Sequence, residues 1–322
     1  MKIAVIGLGS MGKRRIRLIR ELYPDIILVG VDNRTDRRQE VENHFGVPCC
    51  ENLNQAGGDV DCVFVCTSPL SHHSIIKDAL SHGCHVFTEL NLVADGYEEN
   101  MRLAASKGLV LFLSSTFFYR EEIRYLHSQV RPAQRWNYIY HIGQYLPDWH
   151  PWERYQDFFL GDKRTNGCRE ILAIELPWII DTFGDVSKIT VASDKLTGLA
   201  IDYQDNYMIQ LQHDGGNKGC LIVDVVSPCA VRNLEIYSEN AFFSWNGTPE
   251  SLKAYNPSVK KVETVSLQER TEHMDGYRTF VVENAYKNEI RAFFSVLLEG
   301  KPAPYGFEQD MKILKLIDSI GA

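Results

Sequence analysis

The chain has no surplus of basic charge: 34 lysines and arginines stand against 42 aspartates and glutamates, a formal net charge of -8. Its densest basic cluster is only Lys13, Arg14 and Arg15, so nucleic-acid binding has no electrostatic footprint. No apolar run approaches the ~18 residues of a membrane span. Met1-Lys2 leads straight into Ile3-Ala4-Val5-Ile6, without the longer apolar stretch and small-residue cleavage site of a secretory signal. The expectation is a cytoplasmic protein with neither nucleic acid nor membrane as partner. None of the eight cysteines (Cys49, Cys50, Cys62, Cys66, Cys84, Cys168, Cys220 and Cys229) stands in a CxxC or paired metal-ligand spacing. Several sit inside apolar runs, where a thiol packs as a small hydrophobe, so reduced cysteine and no metal are expected. Repeats and low-complexity segments are also missing. What is there, 44% hydrophobic and 24% charged residues over 322 positions, is globular composition with room for two domains.

Short β-branched runs over residues 2–6, 26–31, 60–66, 85–88 and 109–114 alternate with helical patterns over 11–22, 37–45, 74–81 and 97–106. Such alternation predicts βαβ units and a parallel, doubly wound Rossmann-type sheet, an α/β domain over residues 1–118. The texture then changes. A helix over 120–129, an aromatic-rich strand over 135–142 and a helix over 170–183 precede strands over 188–193, 207–213, 218–227, 233–238 and 241–245. Strands in succession without helices between them predict a mostly antiparallel open sheet. Helices over 286–298 and 307–317 complete an α+β domain over residues 119–322.

Gly7-Leu8-Gly9-Ser10-Met11-Gly12 lies directly after the first strand and opens the first helix. In that context glycines let the backbone approach a pyrophosphate seated on the helix N-terminus, which makes Gly7, Gly9, Ser10, Met11 and Gly12 candidate dinucleotide contacts. Asp32 ends the second strand, twenty residues after Gly12. A carboxylate there accepts hydrogen bonds from an adenosine ribose and repels a 2′-phosphate, favouring NAD. Asn33 and Arg34 follow, and with Arg37 and Arg38 they keep NADP as the alternative.

The loop after the next strand, Cys66-Thr67-Ser68-Pro69-Leu70-Ser71-His72, falls at the carboxyl edge of the sheet, where ligands bind in such folds. It resembles the TPxxxH loop of the Gfo/Idh/MocA family of sugar-type oxidoreductases, with Thr67 and His72 in the matching places. The segment Thr88-Glu89-Leu90-Asn91-Leu92 stands where that family carries Glu-Lys-Pro. The resemblance implies a nucleotide-binding domain followed by an open-sheet domain, and is nearest to the surface-polysaccharide sugar dehydrogenases. It implies cofactor contacts at Thr67, Ser68, Pro69, His72, Glu89 and Asn91, and a homo-oligomer, dimer or tetramer, formed through the exposed sheet.

The departures are at the proton-transfer positions. Leu90 stands in place of the family's lysine. Counting back from Phe183-Gly184, Glu170 and Ile174 stand in place of its Asp-x-x-x-His pair, and neither leucine nor isoleucine can exchange a proton. Glu170 takes the helix face of the family's aspartate, and Glu175 is the ionisable group next to Ile174, with Pro177 predicting a kink or later helix start that turns it toward the substrate. His141 is the third candidate acid/base. The stretch from Tyr138 to Tyr155 carries aromatics beside amides, carboxylates and imidazoles, which suits the C–H faces and hydroxyls of a sugar ring. Gln144, Tyr145, Trp149 and Trp152, with Tyr119 and Arg120 at the start of the second domain, are candidate substrate contacts. The expected activity is NAD-dependent hydride transfer to or from a sugar-like hydroxyl or ketone. Two alternatives stay open: a non-catalytic NAD-binding sensor or partner subunit, and hydrolytic or lyase chemistry using NAD transiently.

Overall fold

The first strand, β1 (Lys2–Ile6), carries the consecutive apolar side chains of a strand covered on both faces. In the computed structural model it is a central strand of a six-stranded parallel sheet. The elements are α1 (Ser10–Leu22), β2 (Ile27–Val31), α2 (Thr35–Phe45), β3 (Cys49–Cys50), β4 (Cys62–Val65), α3 (His72–Ser81), β5 (His85–Thr88), α4 (Tyr97–Lys107) and β6 (Leu111–Leu113). Strand order is β3-β2-β1-β4-β5-β6. The order reverses between β1 and β4, the switch point at which open α/β sheets place their ligands.

The structure describes residues 1–149, 153–267, 272 and 281–322. Trp152, a candidate substrate contact, lies outside them. The chain divides into two units, Met1–Ser115 with Tyr286–Met311, and Thr116–Ala285 with Lys312–Ala322. The division at 118/119 drawn from sequence treats each domain as one continuous stretch. It places 286–311 in the second domain, whereas this segment packs with the first, because Phe293 closes edge-on against Phe64, Phe87 and Phe112 of β4, β5 and β6.

The second unit begins with α5 (Glu121–Gln129), β7 (Asn137–Gly143) and α6 (Gly167–Phe183). Strands β8 (Val186–Asp194), β9 (Asn206–His213), β10 (Lys218–Asp224), β11 (Val231–Ser238), β12 (Ala241–Trp245), β13 (Lys253–Asn256) and β14 (Lys261–Thr264) follow. Helices α7 (Glu283–Glu299) and α8 (Phe307–Ile320) end the chain. The eight strands run β14-β13-β12-β11-β7-β10-β9-β8, antiparallel except for the parallel pair of β7 with β10. Alternate residues of β7 face opposite sides. Tyr138 and Tyr140 are buried under α6, with Tyr138 stacked on Phe183 at 4.4 Å, while Ile139 and His141 look out from the open face. Helix α6 runs unbroken from Gly167 through Pro177 to Phe183, so the helix does not start late at the proline. The proline forgoes one hydrogen bond to the Ala173 carbonyl, which the packing of an almost wholly buried helix outweighs. No helix among the described residues is long and apolar enough to cross a membrane.

Candidate functional site

The glycine-rich loop joins β1 to α1 at the switch point. Gly7 has a φ of 92°, and a Cβ there would stand 2.7 Å from the Cys66 carbonyl oxygen. A Cβ on Gly12 would stand 1.9 Å from the Gly7 carbonyl oxygen, so this glycine lets helix and turn touch. Gly9 differs: its Cβ position meets only Arg37 Nη1, at 3.8 Å. Gly9 is also the N-cap of α1 and has no side chain of its own to cap it. An open backbone at such a helix start fits a pyrophosphate. Ser10 and Met11 form the first turn beside it.

Asp32 is buried at the end of β2, where its carboxylate accepts from Leu8 N at 2.8 Å and from Arg34 N at 2.9 Å. The same side chain thus shapes the glycine loop and sits where a ribose would bind. Asn33 is exposed. Arg34 directs its guanidinium to Asp36, at 2.5 Å, while Arg37 lies 3.6 Å from Asp32.

At the ends of β4 and β5 the loop residues brace one another. The His72 ring is 2% exposed, with Nε2 2.9 Å from the Thr67 carbonyl oxygen and Nδ1 2.5 Å from Asn91 Oδ1. Burial pushes its pKa down, and the two contacts tie the Thr67 loop to the Glu89–Asn91 loop rather than leaving the ring to reach outward. Pro69 opens the short helical turn after Ser68, and the Ser71 hydroxyl lies 2.8 Å from Thr67 Oγ1. Glu89, directly after β5, is half-buried and pairs with Arg15 of α1 through two contacts, 2.6 and 3.1 Å.

The three acid/base candidates do not converge. Glu175 is fully buried beneath the sheet side of α6, accepting from Tyr140 Oη at 3.0 Å and Trp178 Nε1 at 2.8 Å and pairing with Arg232 Nη1. A carboxylate with these three partners is tied into the packing of α6 against β7 and β11. His141 lies on the opposite face of the sheet, its Nε2 2.7 Å from Asp224 Oδ2. Glu170 remains. It is half-buried in the first turn of α6, shares a helix face with the half-buried Ile174, and no described side chain pairs with it. Burial alone pushes its carboxyl up to about 7.

Among the substrate candidates, Gln144, Tyr145 and Trp149 stay half-buried. Trp149 Nε1 donates to the Gln144 carbonyl at 3.1 Å, and its ring reaches within 3.7 Å of a Cβ on Gly167, so this loop is packed beside the start of α6 that carries Glu170. Tyr119 and Arg120 are buried instead. The Arg120 guanidinium pairs with Glu122 at 3.1 Å, donates to the Gly247 carbonyl and lies 4.8 Å over Trp245, so it is held inside the second unit. Sequence reasoning missed Arg15, Arg232 and Glu289. Arg15 had a signal, a charged residue between Gly12 and Ile19 on the buried stripe of α1.

Residues 1–115 match the GFO_IDH_MocA family, described as an oxidoreductase family with an NAD-binding Rossmann fold. Human biliverdin reductase A is 25% identical over 132 residues, 40% of this chain and 44% of that protein, so the matched stretch spans less than half of the curated relative. UDP-N-acetylglucosamine 3-dehydrogenase from Acidithiobacillus ferrooxidans superimposes with a TM-score of 0.78 at 16% identity, covering 99% of this chain and 96% of that one. Levoglucosan dehydrogenase in complex with NADH gives 0.80 at 15% identity, covering 100% and 96%. At these identities the structural likeness is one of fold, and it extends through both units.

Proposed function

We propose that the protein is an NAD-dependent oxidoreductase acting on a sugar or sugar derivative, with hydride passing between a ring carbinol carbon and the nicotinamide, and with Glu170 taking the hydroxyl proton. The observation that carries this reading is the half-buried Glu170 carboxyl, which no described side chain pairs with, which burial pushes up to about 7 and which lies on the same face of α6 as Ile174. A general base works best when its pKa lies near the operating pH, and a carboxylate at its ordinary value is too weak. When bound, the dinucleotide supplies the hydride chemistry. Gly7, Gly9 and Gly12 give it an open backbone, and Asp32 orients the adenosine ribose. Thr67, Ser68 and Pro69, braced by His72 and Asn91, line the edge beyond. Gln144, Tyr145 and Trp149 offer the sugar an apolar face with polar flanks. The solved relatives with sugar substrates in their names support this substrate class, while the likeness to biliverdin reductase A supports only the broader oxidoreductase class.

The test is a panel of sugars and nucleotide sugars incubated with NAD, following the absorbance of reduced nicotinamide. One substrate that reduces NAD in the wild type, and does so ~100-fold or more slowly in Glu170→Gln, is the expected result. Normal NAD binding with no turnover across the panel would favour the non-catalytic reading, for which the apolar Leu90 and Ile174 are the motivating residues.

A further inference from the structure

The residue before the proposed base is held from outside its own helix. The first turn of a helix is where fraying begins, because its N–H groups have no partner within the helix. In α6 that turn is fixed at three points. Asn166 Oδ1 accepts from Arg169 N at 2.8 Å. Gly167 lies so close to Val225 that a Cβ on it would stand 2.8 Å from Val225 Cγ1. The third point is at the end of α8, where Nη1 of the buried Arg169 lies 2.8 Å from Asp318 Oδ1 and donates to the Ala322 carbonyl oxygen at 2.7 Å. That end is itself seated: Ile317 and Ile320 are buried, and Tyr207 of β9 donates to the Gly321 carbonyl at 2.9 Å. All these contacts lie within the second unit.

Glu170 follows Arg169 by one residue, and successive side chains on a helix are turned by about 100°. With Arg169 drawn to Asp318 and Ala322, the carboxyl beside it keeps its half-buried place in the turn, and burial is what raises it. Other charged groups on the elements packed against α6 are engaged with further partners: Glu122 of α5 with Arg120, Arg124 with Glu121, His127 with Asp181, Asp224 of β10 with His141, and Arg232 of β11 with Glu175. His213 of β9 meets Tyr138 and the Gly184 carbonyl, and Lys218 is exposed at the start of β10. We propose that Arg169 is a positioning residue for Glu170 and that residues 318–322 belong to the device that seals the base, a role that rests on the reading of Glu170 as base. Without this clamp the first turn of α6 opens to water and the guanidinium is released beside the carboxylate. Both changes favour the ionised form of Glu170, so both make it a weaker base.

The experiment follows the protonated carboxyl of Glu170 by infrared spectroscopy against pH, as the difference between each protein and the same protein carrying Glu170→Gln, and needs no substrate. In the wild type the carboxyl band should disappear with a midpoint at about 7. In Arg169→Met the midpoint should fall by about one pH unit or more, toward the ordinary 4.5. A single Arg169 nitrogen makes both contacts to the end of α8, which an ammonium can also do, so Arg169→Lys should hold the midpoint within about half a unit of the wild type. A wild-type midpoint in the folded Arg169→Met variant overturns the proposal, as does a fall in Arg169→Lys as large as that in Arg169→Met. Should Arg169→Met fail to fold, Asp318→Asn, which alters an exposed carboxylate, takes its place: a lowered midpoint supports the clamp and an unmoved one overturns it. If the wild type itself titrates at the ordinary 4.5, the reading of Glu170 as base has failed, a result distinct from these.

Discussion

Glu170→Gln should make the protein more stable than the wild type above about pH 7 and leave it unchanged in acid. In the unfolded chain this carboxyl titrates at its ordinary 4.5, and in the folded protein burial moves it to about 7. Between the two values the folded state keeps a proton that the unfolded state has released. The stability of the folded state is therefore fully present below 4.5 and is lost as pH rises through about 7. A shift of this size corresponds to about 3 kcal/mol when the group is sealed from solvent. Glu170 is only half-buried, so screening by water reduces the expected loss to about 1–2 kcal/mol. Glutamine has the same shape and no charge to desolvate. Urea unfolding of the wild type and of Glu170→Gln across a pH series measures the difference directly, without any substrate. Two stability curves that stay parallel from acid to alkaline pH would refute the raised carboxyl and, with it, the assignment of Glu170 as base. With a substrate in hand, the same titration should appear as oxidation rates that rise through about pH 7 in the wild type and lose that limb in the variant.

Further outcomes follow from the rest of the structure. Gly9→Val meets nothing closer than Arg37 Nη1 at 3.8 Å from its Cβ and should fold normally yet lose NAD binding in calorimetry; Gly12→Ala drives a Cβ to 1.9 Å from the Gly7 carbonyl oxygen and should lower the melting temperature as well. The wild type should bind NAD more tightly than NADP, because Asp32 is committed as a carboxylate to Leu8 N and Arg34 N; equal affinities would show that Arg34 and Arg37 rearrange around a 2′-phosphate. Arg232→Met removes the cation paired with the buried Glu175 and leaves it Tyr140 and Trp178 as its partners among the described residues, which should cost about 3–5 kcal/mol in denaturant unfolding. The double variant Arg232→Met with Glu175→Leu should recover most of that loss, and a double variant no better than the single one would remove the ion pair as its cause.

The first unit was legible because each local signal there agrees with the next. The Gly7–Gly12 loop falls between a strand and a helix, Asp32 falls at the end of the following strand, and Thr67 and His72 fall after the next. Period-two and period-3.6 patterns also located most elements of the second unit. The two-residue β3 and the short β13 and β14 escaped, since strands of two to four residues, in β14 exposed throughout, carry no alternation to detect. What could not be read was the partner of each charged side chain. Glu170 and Glu175 look interchangeable in the sequence, five residues apart on one helix, but they stand 500° apart in helical phase, or about 140° around the axis. That rotation faces Glu175 to Tyr140 and Arg232 and leaves Glu170 on the half-open side with Ile174.

The same holds for Arg15, whose two carboxylate partners lie 74 and 274 residues away. No pattern within a helix predicts contacts at such separations. They arise because the chain returns through Tyr286–Met311 to complete the first unit. That return also gives the first unit a reason to need its distant segment. Phe293 fills the space over Phe64, Phe87 and Phe112, and Glu289 supplies the second carboxylate to Arg15, which fixes where the Glu89 side chain stands. A fragment ending at residue 118 would keep the glycine loop and Asp32 but would expose those rings and leave Arg15 with Glu89 alone. The dinucleotide fingerprint is therefore local in sequence, whereas the ion pairs that brace the far end of the sheet are not.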